Sequence, residues 1–309
     1  MMGSVSPHLV ALYGRLRGRA ASRALARLMR EAGPRLPPRS PRQVDEHDAM
    51  LIVYPDMVRD PGSPPLRTLA DFCVRRLAGA FNTIHLLPFF PSSSDDGFSV
   101  IDYREVDPAF GSWEDFARLR VRFRLMIDMV ANHVSTASRW FREFLRDDAR
   151  YRTYFIVVPE GSDVSRVVRP RSLPLLTTFE TPSGKKLVWT TFSRDQVDLN
   201  YADPTVLTEM VDTLLFYVGK GAELIRLDAV AYLWKELGTR CIHLPQTHRI
   251  VQLLRGVLEA VAPQVSLVTS GSSGTDVGPE TVAVVSQQDS RPPSSVTQRV
   301  TVYTPAAAY

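Results

Sequence analysis

Between Met50 and Thr269, short apolar runs alternate with stretches of helical periodicity, and this alternation constrains the fold more than any other feature. Met50–Tyr54, Thr83–Leu87, Arg124–Val130, Glu223–Val230 and Val265–Thr269 read as buried strands. Leu66–Leu77, Trp113–Leu119, Pro204–Val218 and a segment near His248–Val261 carry apolar residues at helical spacing. Pro88-Phe89-Phe90-Pro91 closes the second strand, because proline cannot remain in a hydrogen-bonded ladder. Strand, helix, strand in repetition is the signature of parallel βα units. The rhythm stops after Val130. Residues 140–200 hold one short helix, Trp140–Arg146, and then Pro-, Thr- and Ser-containing segments. So long an irregular stretch inside a compact domain is a functional loop or a small inserted subdomain.

Composition excludes several classes. With 44% hydrophobic and 23% charged residues, a 309-residue chain can bury a large core as an ordinary globular protein. No apolar run approaches the length of a membrane span, and no signal-peptide core precedes a small-residue cleavage site. Cys73 and Cys241 alone do not make a disulfide framework and suit a reducing, cytoplasmic compartment. Residues 1–43 hold nine arginines and one acid, Glu31, which invites a nucleic-acid or targeting reading. Leu9, Val10, Leu12, Leu16, Leu25 and Leu28 favour instead a docked amphipathic helix, followed by a Pro-rich linker.

The chemistry concentrates where strands end. In Glu223–Val230, Arg226 and Asp228 interrupt an apolar strand two residues apart, so both side chains point to one face. Buried charges there are costly unless paired. The couple is either a structural ion pair or a carboxylate poised as a nucleophile, and the two residues alone leave both open. Asp128-x-x-x-Asn132-His133 ends the third strand; Asp128 and His133 could orient a ligand or each other. Ser94-Asp95-Asp96-Gly97-Phe98, after the second strand, is a solvated turn or a source of carboxylates and an aromatic face.

Together these stretches resemble the α-amylase clan of retaining glycoside enzymes, in its sucrose phosphorylase-like branch. The matching runs are Leu86–Phe90, Asp95–Tyr103, Asp128–His133, Arg169-Pro170-Arg171, Val197–Tyr201 and Ile225–Val230, in the expected order. Within the branch, the N-terminal helix and Ala231-Tyr232-Leu233-Trp234-Lys235 look like the glucosylglycerate phosphorylase-like members. The fold this implies is a (β/α)8 TIM barrel, here incomplete at about five of eight strands, with a small subdomain inserted after the third strand. Its parts would be the helix and linker (1–43), barrel (44–133), inserted subdomain (134–203), barrel continued (204–269) and a Ser/Thr/Pro-rich tail (270–309) with no strand–helix rhythm, read as disordered or aberrant.

The resemblance also implies roles. Asp228 would be the nucleophile of a double displacement and Arg226 would hold it ionised. Asp95 and His133 would grip the glucosyl hydroxyls, Phe98 would form an apolar platform, and Arg171 would face phosphate and acceptor. Phosphate would be co-substrate beside a small-molecule sugar. No metal or organic cofactor, nucleic acid or membrane is implied. One position departs from the pattern. The family's acid/base Glu follows the fifth strand, about 5–5.5 Å from the nucleophile, and Ser270 stands in that place. Glu280, further along the tail, is a poor substitute. The expectation is an impaired glucosyltransferase from a frame-shifted, mis-spliced or pseudoenzyme chain. A hydrolase or transglucosylase of the same clan, or a non-catalytic sugar-binding protein, are the alternatives.

Overall fold

A computed structural model describes residues 2–36, 46–270 and 282–285. The chain runs α1 (Ser6–Ala32), β1 (Met50–Val53), α2 (Pro65–Phe72), β2 (Thr83–Leu86), α3 (Trp113–Leu119), β3 (Arg124–Val130), β4 (His133–Ser135) and α4 (Arg139–Leu145). It continues through β5 (Leu176–Thr181), β6 (Gly184–Trp189), β7 (Gln196–Asp198), α5 (Pro204–Lys220), β8 (Leu224–Asp228), α6 (Pro245–Val261), β9 (Ser266–Ser270) and β10 (Val282–Val285).

β1, β2, β3, β8 and β9 lie side by side in that order, every neighbouring pair parallel. Consecutive neighbours with helices between them are the winding of a barrel, so the described strands are five of its eight. All seven residues of β3 are buried, because helices cover the outer face and side chains of neighbouring strands, such as Leu224 and Val268 against Met126, fill the inner one. Sequence punctuation sets the helix ends. Ser112 and Asp115 form a capping box at the start of α3. Asp203 caps α5 through Thr205 N, and Gly221 ends it at φ 100°, a conformation costly for any residue with a Cβ. Phe89 and Phe90, expelled from the ladder by their flanking prolines, are buried. Phe89 packs on Phe116 at 5.4 Å and Phe90 on Tyr217 at 5.2 Å. Each such ring is worth about 1.5–3 kcal/mol in burial.

Four features differ from the sequence reading. The N-terminal segment is not one straight helix. Ser6 Oγ and Ser22 Oγ are 3.1 Å apart, whereas sixteen residues of straight helix would separate them by about 24 Å. The chain folds back at Gly14 (φ 75°, ψ 174°) into a helical hairpin packed on α5 and α6. Gly18 permits the close approach: a Cβ there would sit 2.7 Å from Leu9 O and Val10 Cα. The second helix closes in a π-helical turn, Cys73–Leu77. The segment after β3 is more regular than expected. β4 pairs antiparallel with β7, and β5 with β6 across the two-residue turn Pro182-Ser183. Finally β10 pairs antiparallel with β9, opposite in sense to a barrel's next strand. Its run Val282-Ala283-Val284-Val285 is a strand signal overlooked among the Ser and Thr around it. The linker beyond Leu36 and the rest of the tail lie outside the described residues.

Candidate active site at the carboxyl ends of the strands

Because the five strands are parallel, their carboxyl ends share one edge. β3 and β8 are in register with Asp128 opposite Arg226 and Val130 opposite Asp228. Arg226 Nη1 donates to Asp128 Oδ1 at 2.5 Å and to Asp228 Oδ1 at 3.2 Å. His85 Nε2, from β2, donates to the other Asp128 oxygen at 2.7 Å. Asp128 is fully enclosed, and its partners, His85 and Arg226, outweigh burial and hold its pKa below the usual carboxylate range. Asp228 fares differently. Burial, with the Asp128 and Asp95 charges, overcomes the pull of Arg226 and raises its pKa to about 6. The guanidinium is committed first to Asp128, at 2.5 Å against 3.2 Å for Asp228.

A second group faces the same edge. Arg171 Nη2 donates to both Asp95 oxygens, at 2.9 and 3.1 Å. Gln196 Nε2, on β7, donates to Asp95 Oδ2 at 2.8 Å and lies 3.1 Å from His133 Nε2. Burial raises the Asp95 pKa, but the bonds from Arg171 and Gln196 outweigh it and the net shift is downward. His133 is buried and driven to a pKa of about 4, hence neutral near pH 7. Its Nε2 faces the Phe98 carbonyl oxygen at 3.1 Å, while the Phe98 ring packs on the core. Phe192 stands 5.1 Å from the His133 ring and under the Arg171 guanidinium. Asp95 and Asp96 both have positive φ (56° and 49°), followed by Gly97 at 97°. Ala229, directly after Asp228, has φ 52°. Such strain concentrates where surrounding structure over-determines a functional geometry.

Residues 78–290, more than half of the chain, match the alpha-amylase family, catalytic domain. The chain belongs to that family. It is 59% identical over 224 residues to the glucosylglycerate phosphorylase of Allomeiothermus silvanus, covering 72% of this chain and 40% of the relative. The glucosylglycerate phosphorylase of Escherichia coli is 43% identical over 270 residues, 87% of this chain and 48% of the relative. The crystal structure of sucrose 6F-phosphate phosphorylase from Thermoanaerobacter thermosaccharolyticum superposes with a TM-score of 0.68 at 29% identity, over 75% of this chain and 49% of that one. The chain thus spans less than half the length of these relatives.

In this alpha-amylase-family chain, all six residues singled out from the sequence lie on the loops and strand ends of that one edge. Asp228 and Arg226 form one group; Asp95, His133, Arg171 and the Phe98 carbonyl form the other. The two groups are linked electrostatically, since the Asp95 charge is felt at Asp228. Asp128 and His133 do not orient each other: Asp128 turns to His85 and Arg226, His133 to Asn132, Phe98 O and Gln196. Sequence reasoning missed His85, Phe192, Gln196 and Asp195. Asp195 Oδ2 takes hydroxyls from Ser93, Ser94 and Ser99 at 2.5–2.8 Å, and Oδ1 takes Thr136 at 2.6 Å. The run Ser92-Ser93-Ser94 before Asp95 was the available signal. Among the described residues, no group of three or more His, Cys, Asp or Glu could hold a metal ion.

Proposed function

We propose that this chain carries the glucosyl-binding residues and nucleophile of a retaining glucosyltransferase of the glucosylglycerate or sucrose phosphorylase type. Asp228 attacks the anomeric carbon of a small α-glucoside and the bond to the leaving oxygen breaks, giving a β-glucosyl ester. A phosphate oxygen then attacks the same carbon, releases the carboxylate and yields α-glucose 1-phosphate. Arg226 bonds the carboxylate in its anionic state. Asp95 and His133 hold glucosyl hydroxyls and use that binding to favour the oxocarbenium-like transition state. Phe98 supplies apolar surface, and Arg171 meets the phosphate with its planar fork. No metal or organic cofactor enters this scheme, and the compartment is a reducing, cytoplasmic one.

The observation that carries the reading is the Asp228–Arg226 couple at a strand's carboxyl end, on the same edge as Asp95, Gln196 and His133. It is supported by the phosphorylases among the relatives. Protonation of the leaving oxygen is the weak step. Ser270 is far too weak an acid for it, and losing a general acid costs about 10²–10⁴-fold. The chain is therefore nearly inert on glucosides with poor leaving groups. α-Glucosyl fluoride needs no proton, so incubation followed by peptide mass spectrometry yields a hexosyl adduct on Asp228. A folded sample that gives no adduct, or one on another residue, removes the nucleophile assignment. Phosphate release from α-glucose 1-phosphate only when an acceptor is added separates a phosphorylase from a hydrolase, in a version carrying Glu at position 270.

A further inference from the structure

His133 is held at both ring nitrogens. Asn132 Nδ2 lies 3.3 Å from Nδ1, and the Phe98 carbonyl oxygen lies 3.1 Å from Nε2. The Asn132 amide is itself clamped. Its Oδ1 accepts from Lys235 Nζ at 2.6 Å, and its Nδ2 donates to Asp198 Oδ2 at 2.9 Å. Lys235 Nζ closes the triangle on Asp198 Oδ2 at 2.5 Å. Asp198 is further fixed by Thr191, whose backbone N–H and hydroxyl donate to its two oxygens.

An ammonium only donates and a carboxylate only accepts. Turning the Asn132 amide over would set oxygen against carboxylate and N–H against ammonium, so its orientation is forced. Asn132 then offers a hydrogen to His133 Nδ1, which must be the bare nitrogen of the neutral ring. The ring hydrogen sits on Nε2 and points to the Phe98 carbonyl. Gln196 argues the other way, because its Nε2 lies 3.1 Å from the same ring nitrogen and would donate to it if it were bare. That amide already has a shorter partner in Asp95 at 2.8 Å, and two neighbours of His133 outweigh one.

We propose that Asn132, clamped by Lys235 and Asp198, is a positioning residue that holds His133 as the neutral Nε2–H form and so sets a hydrogen-bond donor beside the Asp95 acceptor. The inference rests on reading this pocket as the glucosyl site. A sugar hydroxyl both accepts and donates, so it shares the Nε2 hydrogen with the Phe98 carbonyl and donates to Asp95; the other tautomer would present two acceptors. For stability alone, a Lys–Asp pair this deeply buried is no better than well-packed apolar residues. Here its geometry dictates which way an amide faces.

The test uses the full chain with 15N-labelled histidine, the His133 signals being assigned by their loss in His133→Asn. At neutral pH the wild-type ring shows a pyridine-type Nδ1 and a pyrrole-type Nε2. Asn132→Asp, which can accept from Lys235 and from an Nδ1–H, reverses the two signals. It also slows labelling of Asp228 by α-glucosyl fluoride about tenfold, the worth of one hydrogen bond to the sugar. Should the added carboxylate prevent folding, Asn132→Ser replaces it and shows a mixture of both forms. A wild-type ring with its hydrogen on Nδ1 overturns the proposal, as does an unchanged ring in Asn132→Asp. Signals as expected without any Asp228 adduct leave the positioning role standing and remove only the glucosyl reading.

Discussion

Arg226 Nη1 lies 2.5 Å from Asp128 Oδ1 and 3.2 Å from Asp228 Oδ1, so the guanidinium belongs first to the carboxylate of the neighbouring strand. Asp228 is left half-buried with a shared counter-charge and a pKa of about 6. A carboxyl whose folded pKa lies above its unfolded value binds its proton more tightly in the native state. Its effect on stability is therefore neutral below about pH 4 and increasingly unfavourable as pH rises through 6. Asp228→Asn removes that burden without stranding Arg226, which keeps Asp128. The variant should be more stable than the parent at pH 7, by up to about 3 kcal/mol, and equal to it near pH 4. Urea unfolding at the two pH values checks this; a variant less stable at pH 7 contradicts the account of the pair.

The same titration governs reactivity. Only ionised Asp228 attacks, so the rate of adduct formation from α-glucosyl fluoride should fall with decreasing pH, with a midpoint near 6. The Asp128 charge contributes to that high value, and Asp128→Asn should move the midpoint to lower pH. A midpoint unchanged in the variant would show that the two carboxylates do not sense each other.

The strands of the barrel were legible because each is an apolar run between breakers, and Arg226 and Asp228 because charge inside such a run is conspicuous. Gln196 and Asp195 were not legible. They stand in a segment rich in polar residues, where nothing local separates a positioning amide from a solvated one. The N-terminal hairpin was hidden for another reason. Leu9, Leu12, Leu16, Leu25 and Leu28 keep helical spacing across Gly14, yet Leu16 is 88% exposed, because the break rotates the second helix onto a new face. That break depends on contact between Gly18 and the backbone of Leu9 and Val10, a distant relationship that periodicity does not encode.

Gly18 gives a direct measure of this hairpin. An added methyl would meet backbone atoms at 2.7 Å, which cannot rotate away as a side chain could. Gly18→Ala should destabilise the chain by about 1–3 kcal/mol, despite the higher helix propensity of alanine. In a continuous helix the same substitution would stabilise. The sign of the shift in thermal midpoint therefore decides between the two geometries.

Asp195 is the last residue whose role can be isolated. Its Oδ2 gathers Ser93, Ser94 and Ser99 and its Oδ1 gathers Thr136, joining the loop that carries Asp95 to the start of β7, which carries Gln196. Burial raises its pKa, the bonds from Ser93, Ser94 and Thr136 outweigh that, and the net shift is downward. A depressed carboxylate stabilises the fold above its unfolded pKa and loses that contribution as pH falls through the folded value. Asp195→Asn keeps the shape but turns one acceptor oxygen into a donor facing hydroxyls. It should cost about 1–2 kcal/mol at pH 7, and the gap from the parent should narrow in acid. Because the staple holds Asp95 against Gln196, labelling of Asp228 should slow as well, in protein that remains fully folded at the assay temperature. Unaltered labelling kinetics in a destabilised variant would mean that the staple supports the fold without aligning the loops.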